Sequence, residues 1–306
     1  MKATTSVRTI LAAAPAMLMA GQALAHTPYI LPNAFDAERN RITLQGALTE
    51  DDYFNPDIAL NVPAYVETLP SGQEVKVPPS AVLKDVTVTE APLPDNGTYR
   101  FSTGQLVQRS NTLANINGKW LNVRQPRPQR AEGEGGAPAG RPQAGGGAPA
   151  GPPQAGGGGP PNSVAEADIP AGAQRMKTEG VMVVETYVSK GAPTTTALKT
   201  TGQGFELKPV THPNAVYVDQ GFAFQLLVDG VGAANAPISV YRSGNNYDDR
   251  RIAVEAKTDA KGMAKISFKQ PGVYLLTTHY PAAERVPGEA PPAKTYTYSL
   301  TFEVTH

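Results

Sequence analysis

The chain has 306 residues, 27 lysines and arginines against 27 aspartates and glutamates, and no cysteine. That charge balance excludes a broad phosphate-neutralising surface, so nucleic acid is not an expected partner. Without cysteine there are no disulfides, no thiolate metal ligands and no lipidated cysteine anchor.

Residues 1–25 read as a secretory signal peptide: Lys2 and Arg8 precede an apolar stretch from Ile10 to Ala20, and Ala23-Leu24-Ala25 supplies the small-residue cleavage site. Cleavage after Ala25 makes His26 the first mature residue and leaves a net charge of −2. The apolar stretch is too short to span a bilayer comfortably, so no membrane insertion of the mature chain is expected. Export without disulfides points to a periplasmic protein.

Many Val, Thr and Tyr residues among 29 prolines and 30 glycines argue for strands joined by turns. Arg41–Leu48 and Val82–Thr89 alternate as strands do. Asn96-Gly97 marks a turn before a short strand, Gly97–Thr103. Asn117-Gly118 ahead of Lys119-Trp120-Leu121 reads as a hairpin tip.

From Pro126 to Pro161 the composition is almost entirely Pro, Gly, Ala, Gln and Arg. Within it APAGRPQAGGG (Ala137–Gly147) is followed at once by APAGPPQAGGG (Ala148–Gly158). The repeat lacks collagen periodicity and carries too little apolar surface to offset ordering entropy, so disorder is expected there. Asp168–Gly172 then leads to a strand beginning near Thr178, in which Met182–Val188 is the clearest strand of this half. The insert therefore lengthens a loop inside a first domain, 26–203.

The remainder, 204–306, is more regular. Phe205–Val210, Phe222–Val228, Pro237–Tyr241, Ile252–Ala256, Ala264–Phe268, Gly272–His279 and Thr295–Val304 are strands separated by turn residues such as Asp229-Gly230 and Thr258–Gly262. That spacing is expected of an immunoglobulin-like sandwich. No amphipathic helix with convincing caps is found. The fold class expected is all-β: two sandwich domains, the second immunoglobulin-like.

The mature chain has four histidines, His26, His212, His279 and His306. An N-terminal histidine offers an α-amine (pKa about 8) and an imidazole, two nitrogens from one residue. His212 lies in the turn Thr-His-Pro-Asn, and His279 ends a strand. If His26, His212 and His279 converge, a nitrogen-rich site would favour Cu(II) or Ni(II). His306 reads as a frayed tail. Glu50-Asp51-Asp52 with Asp57, and Asp248-Asp249, lack the spacing of a calcium loop. No cysteine nucleophile, G-x-S-x-G elbow or H-E-x-x-H helix points to catalysis, so the protein is not expected to be an enzyme.

Four phrases resemble one uncharacterised periplasmic family often labelled a periplasmic component of nickel or cobalt transport: HTPYILP at His26–Pro32, VETYVSKGAPT at Val184–Thr194, GFELKPVTHPN at Gly204–Asn214 and TDAKGMAKISFKQPGVYLLTTHY at Thr258–Tyr280. The resemblance implies a two-domain periplasmic β protein that binds Ni, Co, Cu or Fe as an accessory of a metal-uptake receptor or transporter. The alternative is a non-catalytic envelope module binding a protein or glycan, for which Tyr241, Tyr247, Tyr274, Tyr280, Tyr296 and Tyr298 could form a stacking face.

Overall fold

The computed structural model describes residues 26–50, 54–124, 162–244, 252–282 and 289–306. The stretch 1–25 read as a signal peptide and the Gly/Pro-rich segment Pro126–Pro161 lie outside the described residues. Strands run β1 (Thr27–Pro32), β2 (Arg41–Thr49), β3 (Ile58–Ala59), β4 (Tyr65–Thr68), β5 (Glu74–Val77), β6 (Ala81–Val82), β7 (Thr87–Pro92) and β8 (Gly97–Ser102). A hairpin arm follows: β9 (Leu106–Ile116), β10 (Lys119–Arg124) and, beyond the insert, β11 (Ser163–Ala165). The long β12 (Arg175–Lys190) leads to β13 (Phe205–Pro209), β14 (Val216–Tyr217), β15 (Phe222–Val228), β16 (Val231–Gly232) and β17 (Pro237–Arg242). The last strands are β18 (Ile252–Lys257), β19 (Met263–Ile266), β20 (Gly272–Tyr280) and β21 (Lys294–Thr305). Two short 3-10 turns are the helical elements among the described residues, and none is long and apolar enough to cross a membrane.

The strands build two sandwiches. In the first, a sheet ordered β1-β2-β7-β6 faces β5-β4-β8-β12. In the second, β13-β15 with β19 faces β18-β17-β20-β21. Both orders are immunoglobulin-like. The first core holds Ile30, Ile42, Leu44, Tyr65, Tyr99 and Phe101; the second holds Phe205, Phe222, Phe224, Leu276, Tyr298 and Phe302.

One strand belongs to both. β12 sends Met182, Val184 and Val188 into the first core, and Val181, Val183 and Tyr187 into the second. Residues Val181 to Lys190 are buried without interruption. The apolar run M-V-V therefore lacks alternation because both of its faces are covered. β12 pairs in parallel with β21 from Glu179↔Lys294 to Thr186↔Thr301, which fuses the two sandwiches into one twelve-stranded sheet. A parallel pair requires a crossover, and here the crossover is the rest of the second sandwich. The expected division at residue 203 thus follows a strand that both sandwiches use.

Each sandwich closes a corner with a tyrosine. The Tyr274 hydroxyl donates to the Gln270 carbonyl four residues upstream at 2.8 Å, at the start of β20. The Tyr99 hydroxyl donates to the Asp95 carbonyl at 2.8 Å and accepts from the Asp95 N–H at 2.8 Å. Such a corner pins the crossing between sheets in immunoglobulin-like folds. Turn expectations hold at Asn117-Gly118 and Asp229-Gly230, where both residues of each pair have positive φ, as a type I′ turn demands.

Some elements differ from the sequence reading. Val82–Thr89 is not one strand: it folds back as a hairpin, with Ala81↔Val88 and Val82↔Thr87 paired and Leu83 N–H donating to Val86 C=O. Lys84-Asp85 take the turn, where their charges stay in water. β1, absent from the sequence reading, pairs along its whole length with β2. Tyr296 and Tyr298 share a face as expected, but it is the core face, against Phe205 with ring centroids 5.4 and 5.8 Å away.

Removing either corner hydroxyl should weaken its own sandwich. Tyr99→Phe and Tyr274→Phe are each expected to lower stability by about 1 kcal/mol in chemical denaturation. The double variant should lose the sum to within about 0.5 kcal/mol, because the two corners share no partners.

Candidate functional site

The register Thr27↔Thr49 opens the β1–β2 ladder, and His26 stands one residue ahead of it, half-buried. The anchor is firm: Tyr29 and Ile30 are fully buried, and the Tyr29 ring meets Phe54 edge-on at 5.3 Å. On the neighbouring strand end, Glu50 N–H donates to Asp57 Oδ2 at 2.7 Å. The Asp57 carboxylate also acts on Tyr29, whose phenol is pushed up to about 12, first by burial and then by that charge. The head of β1 therefore carries an imidazole at the same sheet end as two carboxylates. Asp51 and Asp52, and Asp248-Asp249, lie outside the described residues.

His212 is held on both ring nitrogens. Nδ1 accepts from Asn214 N–H at 3.1 Å; Nε2 lies 3.0 Å from the Thr194 carbonyl and 3.1 Å from Thr98 Oγ1. An acceptor at Nδ1 leaves the proton on Nε2, which donates to Thr194. The same knot continues through Ser189 Oγ, 2.9 Å from Thr98 Oγ1, and through Asn214, which accepts from Ser189 and donates to the Tyr187 carbonyl. It ties β8 and β12 of the first sandwich to the turn between β13 and β14 of the second. Burial lowers the pKa of His212, against an opposing pull from the Thr194 carbonyl.

His279 sits on β20 opposite Thr297, with Nδ1 3.2 Å from Thr297 Oγ1, and burial lowers its pKa as well. His306 is exposed beyond β21. Among the described residues no three His, Asp or Glu side chains gather closely enough to hold a metal ion. In this arrangement His26, His212 and His279 stand in three separate surroundings.

Buried charges form the polar features that sequence reasoning passed over. Lys190 gives its three donors to Asn40 Oδ1, Leu93 C=O and Pro94 C=O. Tyr298 donates to Glu185 Oε2 at 2.8 Å across the β12–β21 seam. Arg100 reaches Thr68 Oγ1 at 3.2 Å and Glu74 Oε1 at 3.4 Å. Glu67, 1% exposed, stands on the inner face of β4. The signal available in sequence was a charge at an inward position of an alternating strand, as in Tyr65-Val66-Glu67.

Replacing His212 by Ala leaves the Asn214 N–H and Thr194 carbonyl without partners, so stability should fall by about 1–3 kcal/mol. The pH dependence should change too. Because the folded pKa is lowered, the stability owed to neutral His212 is present above the unfolded value, about 6.5, and is lost as pH falls below it. Thermal unfolding between pH 7.5 and 5 should therefore show a shallower acid loss in His212→Ala than in the parent.

No curated protein matches the chain significantly. Among solved structures, the D0-D1 domain of Intimin is similar at 12% identity over 89% of this chain and 96% of that chain, with a TM-score of 0.18, too low to carry an argument. The sequence profile of the Domain of unknown function (DUF4198) matches residues 23–282, and the chain belongs to that family.

Proposed function

We propose that this is a periplasmic, non-catalytic protein that binds a transition metal at its mature N-terminus as an accessory of an envelope uptake or homeostasis system. The observation that carries the reading is His26, half-buried at the head of a fully paired strand, at the same sheet end as Glu50 and Asp57. Cleavage after Ala25 frees the α-amine, and the buried Tyr29 and Ile30 hold it in place. Two nitrogens from one residue favour Cu(II) or Ni(II) in tetragonal geometry, with Co(II) and iron bound more weakly; carboxylate oxygen would complete the set. His212 is committed to hydrogen bonds and does not enter this site. A receptor or transporter in the envelope is the partner to which the metal passes.

A second reading, an envelope interaction module, draws on Ile58, Val82 and Leu83, each about half exposed or more. Ala59 N–H donates to the Lys84 carbonyl, which brings these apolar side chains to one end of the first sandwich. The tyrosine face does not support this reading, because Tyr274, Tyr296 and Tyr298 are buried.

Calorimetric titration of Cu(II), Ni(II), Co(II) and Zn(II) into natively processed protein separates the two. Submicromolar binding at one site is expected, weakened at least tenfold by His26→Ala or by one residue added before His26. His212→Ala should leave that affinity unchanged. Equal, weak binding by all variants would sink the metal reading and leave the apolar end of the first sandwich as the place to seek a partner.

A further inference from the structure

Glu67 is the most deeply buried carboxyl that the metal reading leaves unused. It lies on β4 between Val75 of β5 and Phe101 of β8, its register partners on either side. Tyr65 and Tyr99 share its face, and the Tyr99 phenol lies within electrostatic reach. Across the sandwich, the inward positions of β2 and β7 are Ile42, Leu44, Gly46, Thr87, Thr89 and Ala91, none charged. The ammonium of Lys190 is on the same face of the sheet, but Thr186, the residue level with Phe101, is four residues away along β12, about 13 Å. Its protons are already taken by Asn40, Leu93 and Pro94. Glu74 and Lys76 alternate to the outer face of β5, and Arg100 to the outer face of β8. Among the described residues Glu67 Oε1 has no hydrogen-bond partner, and neither do the Tyr65 hydroxyl and Thr89 Oγ1 in the same interior.

An ionised carboxylate in such a place is strongly disfavoured, since burial here comes without a pairing charge. The way to water is short on one side. Among the described residues β5 is an edge strand that pairs with β4 alone, and its Val75 is the register neighbour of Glu67.

We infer that Glu67 is a proton-controlled latch on the edge of the first sandwich: protonated, it keeps β5 seated over the core, and ionised, it drives β5 off β4 to reach water. Burial pushes this carboxyl up to about 7, so the change falls within the pH range an exported protein meets. The sign follows from linkage. A raised folded-state pKa gives a closed state that is fully favoured below the ordinary value of 4.5 and progressively lost as pH rises through 7. His212 and His279, with lowered pKa, act in the opposite direction and at other places.

Amide hydrogen exchange at Glu74–Val77, corrected for the intrinsic pH dependence of exchange, tests the latch in the full chain. Between pH 5.5 and 8.5 the opening constant of β5 should rise roughly thirtyfold, while amides of β20 do not follow it. Glu67→Gln, which keeps the shape and cannot ionise, should abolish the rise, and Glu67→Leu should do the same. A β5 opening constant that is flat with pH in the parent, or that rises equally in Glu67→Gln, would overturn the inference.

Discussion

The parallel pairing of β12 with β21 is the contact on which the rest of the architecture depends. Each of these strands is the last in its own sandwich, and joining them makes one sheet from two. From Val181 onward β12 is buried on both faces, so that part of the seam demands side chains that need no water. Val, Met, Tyr and Thr supply most of them, and the buried charges of β12 are matched: Glu185 in the seam by the Tyr298 hydroxyl, and Lys190 beyond it by three acceptors. A buried charge without such partners would cost several kcal/mol.

The seam also explains the placement of the polar knot around His212. The chain leaves β12, runs through the turn at Thr194, lays down β13 in the second sandwich and returns to the junction at His212-Pro213-Asn214, between β13 and β14. Thr194 and residues 211–214 are partly or fully buried, so their backbone groups need partners there. Thr98, Ser189, His212 and Asn214 provide them in a closed set of hydrogen bonds. His212, one of the candidate ligands, closes the junction through hydrogen bonds on both ring nitrogens.

His26 differs in kind. It belongs to no knot, and the strand behind it is fixed by Tyr29 and Ile30, so a free N-terminus there would be held at one end of the sheet. Binding at such a place needs little rearrangement of the protein, which favours affinity. It is also remote in role from Glu67, whose burial concerns the opposite edge of the same sandwich.

Local signals were enough for much of the fold. Turn pairs such as Asn117-Gly118 and Asp229-Gly230 act through backbone conformations that few residues other than Asn, Asp and Gly adopt, so they are readable without neighbours. The seven strands of the second sandwich were legible from alternation and turn residues, although β20 and β21 are covered on both faces over Tyr274–Thr278 and Tyr298–Phe302. β1 and the folded-back hairpin at Leu83–Val86 were not, since proline-containing TPYILP and charged Lys84-Asp85 take their roles from the strands they meet. The sequence by itself determined an all-β chain, its turns, the export signal as an expectation and histidine as the available nitrogen ligand. Only the tertiary structure decided that β12 is shared, that His212 is spent on hydrogen bonds, that Tyr296 and Tyr298 are core and that Glu67 is without a charge partner. Those outcomes depend on contacts between residues more than a hundred positions apart, and nothing in local spacing encodes which face of a strand a distant strand will cover.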